Sequence, residues 1–127
     1  MLLLLDTHSF LWWLSDDPAL GPTARAAIAD GENLVFVSAA TAWEISVKRA
    51  KGKLDAPGDV NDWLSANDFI ELPIEIGHAV RAGELPPHHS DPFDRMLVAQ
   101  AELEGHTLVT ADAEIRAYGV ANLDANA

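Results

Sequence analysis

Four acidic residues, Asp6, Glu44, Asp94 and Asp112, stand where short apolar runs give way to helical stretches, and as a set they have the makings of a cation site. Asp6 and Asp112 follow the apolar runs Leu2 to Leu5 and Thr107 to Thr110, while Glu44 and Asp94 lie in helical patterns. Two carboxylates about 4 Å apart repel by roughly 4 kcal/mol at an effective dielectric of 20, so such a cluster requires protonation or a bound cation. The chain has no cysteine and no regular histidine spacing. Hard oxygen ligands then point to Mg²⁺, with Mn²⁺ as a substitute, rather than to zinc or copper. No Ser or Cys is positioned as a nucleophile, so the chemistry that fits is metal-assisted phosphodiester hydrolysis by activated water.

The segment Ser90-Asp91-Pro92-Phe93-Asp94-Arg95 opens the helix on which the set turns. Asp91 suits the N-cap, Pro92 the first helical position and Gly105 the stop, which predicts a helix of three to four turns. Asp94 falls at the third helical position, facing free backbone N–H groups and the positive end of the helix dipole. A purely local reading remains open here, with Asp91 bonding forward and Asp94 reaching back as a cap.

The elements that must position these acids follow from the same patterns. Leu2 to Leu5 reads as a strand buried on both faces, followed by a largely buried helix over Thr7 to Leu14. Within it Trp12 and Trp13 cannot share one face, so one packs inward and the other is free to meet a partner. Pro22 to Ala29 is a helix, Leu34 to Val37 a second strand, and Ser38 caps a helix from Ala39 to near Lys51-Gly52. Glu44 and Lys48 are spaced for a surface ion pair on that helix. A short helix over Val60 to Leu64, an outer strand Phe69 to Leu72 and a helix Ile76 to Gly83 come next. After the Asp94 helix, Thr107 to Thr110 is a fourth strand, Ala113 to Tyr118 a short helix and Val120 to Leu123 a weak edge strand, with a frayed tail beyond. This alternation predicts an α/β sandwich of four to five mostly parallel strands. Ligands of such sheets bind beyond the carboxyl ends of the strands, where the four acids gather.

Composition limits the alternatives. At 127 residues and 49% hydrophobic, the chain fits one domain, residues 1–127, with a real core. The Met1 to Leu5 run is too short for a signal segment, and no run approaches membrane-spanning length, which leads to an expectation of a cytoplasmic protein away from the membrane. A net charge of −12 argues against broad non-specific nucleic-acid binding. Yet Lys48, Arg49, Lys51 and Lys53 concentrate half of the basic residues, either as a local phosphate patch or as a solvated helix end favoured by the dipole. His88 and His89 are adjacent, a spacing that rarely converges on one ion, and read as loop histidines rather than metal ligands.

Taken in order, Leu4-Leu5-Asp6-Thr7-His8, Ser38-Ala39-Ala40-Thr41-Ala42-Trp43-Glu44-Ile45, Asp91-Pro92-Phe93-Asp94-Arg95 and Val109-Thr110-Ala111-Asp112 resemble the successive motifs of PIN-domain nucleases over nearly the whole chain. The chain is similar in particular to VapC-type toxins of bacterial toxin–antitoxin pairs. The resemblance implies a three-layer α/β/α fold, Mg²⁺-dependent endoribonuclease activity, a cognate antitoxin and a homodimer. Carried over by position, it assigns Asp6, Glu44, Asp94 and Asp112 to the acidic site with Thr110 in support. It selects Asp94 over Asp91, which stays the cap, and Asp112 over Glu114. A protein-binding module with the same fold but no activity, using an exposed aromatic surface around Trp12 and Trp13, is the reading from another class. An aspartyl-phosphate phosphatase acting through Asp6 fits less well, because His8 stands where a second aspartate belongs.

Overall fold

The computed structural model describes all 127 residues. Five strands, β1 (Leu2–Leu5), β2 (Leu34–Ser38), β3 (Ile70–Leu72), β4 (Thr107–Thr110) and β5 (Asn122–Asp124), form one sheet in the order β3-β2-β1-β4-β5. Every pairing in it is parallel. Parallel strands need crossovers, and seven helices supply them: α1 (Thr7–Ser15), α2 (Pro22–Ala29), α3 (Ala39–Ala50), α4 (Val60–Asn67), α5 (Ile76–Glu84), α6 (Pro92–Glu104) and α7 (Ala113–Arg116).

The period-2 geometry of β1 divides the core in two. Leu3 and Leu5 pack with Phe10, Leu20, Ile28, Leu64 and Phe69 on one side of the sheet, while Leu4 packs with Leu97, Val98, Leu108 and Ile115 on the other. Three layers result, as the continuous Leu2–Leu5 run requires of a strand covered on both faces. The strand order reverses at β1, between the leg to β2 and β3 and the leg to β4 and β5. A crevice therefore opens beyond the carboxyl ends of β1 and β4.

Several boundaries differ from the sequence reading. α4 runs on to Asn67, where Asp68 in the left-handed region ends it, and Asn67 is held there by Trp13 Nε1. α7 stops at Arg116 rather than Tyr118, and β5 begins at Asn122. The expected frayed tail is instead fixed: the Gly21 N–H donates to the Ala125 carbonyl, the Thr23 and Ala24 N–H groups donate to the Ala127 carbonyl, and Ala125 is fully buried. These are free donors at the start of α2, whose N-cap Gly21 has no side chain to satisfy them, so distant backbone does so. A Cβ on Gly21 would overlap the backbone of Asn126 and Ala127, whose atoms cannot rotate away as a side chain could. Gly21→Ala is accordingly expected to destabilise the protein by about 1–3 kcal/mol, measured by denaturant unfolding. An unchanged midpoint would mean that the tail is not fixed in this way.

Candidate active site

Asp6 leaves β1 and caps α1, its carboxylate accepting from the Ser9 N–H at 2.8 Å. Only 4% of the residue is exposed. Burial pushes its carboxyl above the usual range, against the opposing pull of the Ser9 and Thr110 side chains and the Ser9 amide.

Glu44 projects from the second turn of α3 and is also buried. The expected ion pair with Lys48 forms at 2.6 Å, but it is not a surface pair, because Glu44 is enclosed while only Lys48 reaches solvent. The Thr7 hydroxyl donates to the other Glu44 oxygen at 2.6 Å. Glu44 is thus fixed at both oxygens by the first residue of α1 and by its own helix.

Asp91 caps α6 as its sequence suggests, accepting from the Phe93 and Asp94 N–H groups. Asp94 does not reach back. With the cap position filled, its carboxylate turns to the crevice, where burial and then the Asp91 charge drive its pKa up to about 7; nearby His89 opposes the rise, and Glu44 and Asp6 add to it. Asp94 therefore shares the crevice with Glu44 and Asp6, and Asp112 is linked to it through the His89 ring.

Asp112 caps α7, accepting from the Glu114 N–H at 2.8 Å, and the Thr110 hydroxyl accepts from the Asp112 N–H at 3.0 Å. Burial alone would raise the Asp112 carboxyl. The hydrogen bond from His89 and the backbone N–H groups of α7 outweigh it and hold the carboxyl below the usual range. Glu114 lies at the rim and is mostly exposed.

His89 is the residue that sequence reasoning missed. It lies on a loop as expected, but its ring enters the acid cluster: Nε2 is 2.9 Å from Asp112 and 3.1 Å from Asp94. The Asp91 N–H donates to Nδ1 at 3.0 Å, so in the neutral ring the proton sits on Nε2 and points at the two carboxylates. Burial would lower its pKa, yet the bond to Asp112 and the charges of Asp94, Asp112 and Glu114 raise it above the usual value. Its only sequence signal was a position two residues before the Asp91 cap, and the adjacent His88 obscured it. His88 points elsewhere, edge-on to Tyr118.

The loop is aimed by Arg95. Its guanidinium donates to the carbonyls of Ala82, Leu85, Pro86 and His89 and to the Tyr118 hydroxyl. That hydroxyl in turn accepts from the His89 N–H at 2.9 Å. Donor atoms of His89, Asp112 and Glu114 all lie within 4.8 Å of one another; of the four motif acids only Asp112 belongs to this group, and Asp6, Glu44 and Asp94 stand outside it. A similar triad, Glu75, His78 and Glu104, lies between α5 and α6, where both His78 nitrogens are already engaged.

The donor chemistry suits a hard divalent cation: four carboxylates from four elements face the crevice side of the sheet, two of them with raised pKa values, and no cysteine thiolate is present. The basic segment gives less support to a phosphate patch. Lys48 is bound to Glu44, and Arg49 lies over the Trp63 ring and donates to the Ala56 carbonyl.

Comparison with known proteins adds independent findings. A family model described as PIN domain matches residues 3–121. Ribonuclease VapC22 of Mycobacterium tuberculosis is 30% identical over 118 residues, covering 91% of this chain and 90% of that protein. Among solved structures, VapBC2 from Rickettsia felis bound to a DNA fragment from their promoter aligns over 98% of both chains with a TM-score of 0.67 at 16% identity. FitAcB from Neisseria gonorrhoeae aligns over 96% of both chains with a TM-score of 0.57 at 18% identity. At such identities the two structures share the fold of this chain.

Proposed function

The chain belongs to the PIN-domain family, and from that premise we propose that it is a Mg²⁺-dependent endoribonuclease, one domain over residues 1–127, that acts as the toxin of a toxin–antitoxin pair. The observation that carries this reading is a carboxylate buried at the β1/β4 crevice in acidic company: burial first, then the charge of Asp91, with Glu44 and Asp6 adding, lifts Asp94 to a pKa of about 7. An arrangement that disfavours its own charge is suited to receive a cation. Asp6, Glu44, Asp94 and Asp112 would hold Mg²⁺, or Mn²⁺ in its place. When bound, such an ion polarises a phosphate oxygen and lowers the pKa of water. The chain's own residues prepare the ligands. Thr7 and Lys48 fix Glu44, Ser9 fixes Asp6, and Thr110 holds the backbone of Asp112. The His89 Nε2–H orients Asp94 and Asp112.

Ribonuclease VapC22 and the VapBC2 complex support an RNA substrate and a cognate antitoxin. A basic antitoxin segment would compensate the acidic crevice much as a cation does. No helix is long and apolar enough to cross a membrane, which is compatible with the cytoplasmic location we assign. Trp43, Ile76 and Val80 are 60%, 84% and 55% exposed, and this apolar surface gives the proposed homodimer a physical basis. Exposed apolar side chains equally favour the second reading, a catalytically silent protein-binding module, although Trp12 and Trp13, the surface expected for it, are half-buried and Trp13 is engaged by Asn67 and Phe69.

Purified, partner-free protein is expected to cut a structured RNA pool with Mg²⁺ and to stop when EDTA is added. Partner binding without cleavage at any Mg²⁺ or Mn²⁺ level would favour the silent module.

A further inference from the structure

An RNA-cutting protein with a net charge of −12 must grip its substrate by something other than a basic face. Of its eight Lys and Arg residues, Arg25, Lys48, Arg81 and Arg116 are paired with carboxylates. Arg49 and Arg95 are taken up by backbone carbonyls. Only Lys51 and Lys53 have side chains without a partner in the chain. Counterion release at phosphates therefore contributes little.

Beside the acids lies a cleft of about 300 Å³ lined by Asp6, His8, Trp12, Ala111 and Asp112. His8 and Trp12 are one helical turn apart on α1, so they share a face, with ring centroids 5.9 Å apart and planes tilted by 37°. Trp12 is half-buried against the core around Phe10, which restricts its ring, whereas His8 is exposed. Ala111, which also lines the cleft, contributes only a methyl group and leaves room for a flat group. A nucleobase is flat, aromatic and uncharged at neutral pH, so Asp6 and Asp112 do not repel it as they repel a phosphate.

Resting on the nuclease reading, we propose that His8 and Trp12 form a nucleobase-stacking subsite for the nucleotide flanking the phosphate held at the carboxylates. Stacking on aromatic side chains contributes affinity independently of basic charge and tolerates every base. Division of labour follows: the acidic side of the cleft takes the cation and the phosphate it carries, and the α1 side takes the base.

The test measures binding of a short, fluorescein-labelled, mixed-sequence 2′-O-methyl phosphorothioate RNA in Mg²⁺ by anisotropy, alongside Mn²⁺ binding by calorimetry. His8→Ala and Trp12→Leu should each weaken RNA binding about 5- to 50-fold, with Trp12→Phe within about threefold of wild type. Mn²⁺ affinity should be unchanged in all three, which separates loss of the base subsite from damage to the acids. His8 is exposed, so His8→Ala keeps the test decisive should Trp12→Leu unfold. Wild-type RNA affinity in both His8→Ala and Trp12→Leu would overturn the subsite while leaving the nuclease reading intact. A wild-type protein that binds Mn²⁺ but no RNA would overturn both.

Discussion

Asp94→Asn is expected to abolish metal-dependent RNA cleavage while making the metal-free protein more stable at pH 8. The loss of activity should exceed about a hundredfold, the range already reached by removing groups that merely orient metal ligands. The gain in stability follows from linkage. Asp94 has a folded-state pKa of about 7 against an ordinary 3.8, raised by burial and then by Asp91, with Glu44 and Asp6 adding to the rise. The folded state thus holds this proton more tightly than the unfolded chain. The resulting stabilisation is fully present below about pH 4 and is lost as pH rises through about 7. At pH 8 wild type must carry the carboxylate against its neighbours, whereas asparagine carries no charge. The difference between variant and wild type should therefore be largest at pH 8 and shrink toward pH 4. Mg²⁺ should raise the Tm of wild type at pH 8 and leave the variant nearly unmoved, since only the protein that binds gains from mass action. Thermal melts at both pH values, with and without Mg²⁺, check all of this. A variant less stable than wild type at pH 8 would refute the electrostatic account.

How much of this was legible in the sequence depends on how local the signal is. The Leu2 to Leu5 run, the Asp91-Pro92 helix start and the Gly105 stop are short-range patterns, and each gives its element at the expected place. The motif acids follow from those elements, because a residue at a strand exit or in the first turns of a helix is placed by its own backbone. Tertiary contacts were not legible. Glu44 has the spacing of a surface ion pair, and its burial depends on Thr7, 37 residues away. The tail carries no pattern of its own, and its order comes from donors left free at the start of α2. His89 is the clearest case: adjacent histidines in a Pro-rich loop say nothing of direction, which is set by Arg95, Tyr118 and the Asp91 amide.

That dependence makes Arg95 the position where a change in a side chain that holds no metal should do most harm to the fold. Arg95→Met removes the donors for the carbonyls of Ala82 and Leu85, both at 2.9 Å, and for the Pro86 and His89 carbonyls at 3.1 and 3.3 Å. Hydrogen bonds to charged donors contribute about 1.5–3 kcal/mol each, and water can replace those at the exposed end of the loop. A loss of about 3 kcal/mol remains, on the order of ten degrees in Tm for a chain of this size. Arg95→Lys retains the charge but lacks the planar fork that reaches several acceptors at once, so it should recover less than half of the loss. The site should register the change as well as the fold. Once the 85–89 loop is released, Nε2 of His89 no longer rests between Asp94 and Asp112, and the Asp112 carboxyl loses the hydrogen bond that holds it low. Its titration, followed by NMR in the metal-free protein, should move upward toward the ordinary carboxylate value in Arg95→Lys. A lysine variant with wild-type Tm and an unmoved Asp112 would mean that the loop holds its shape without the guanidinium, and that Arg95 does not position His89.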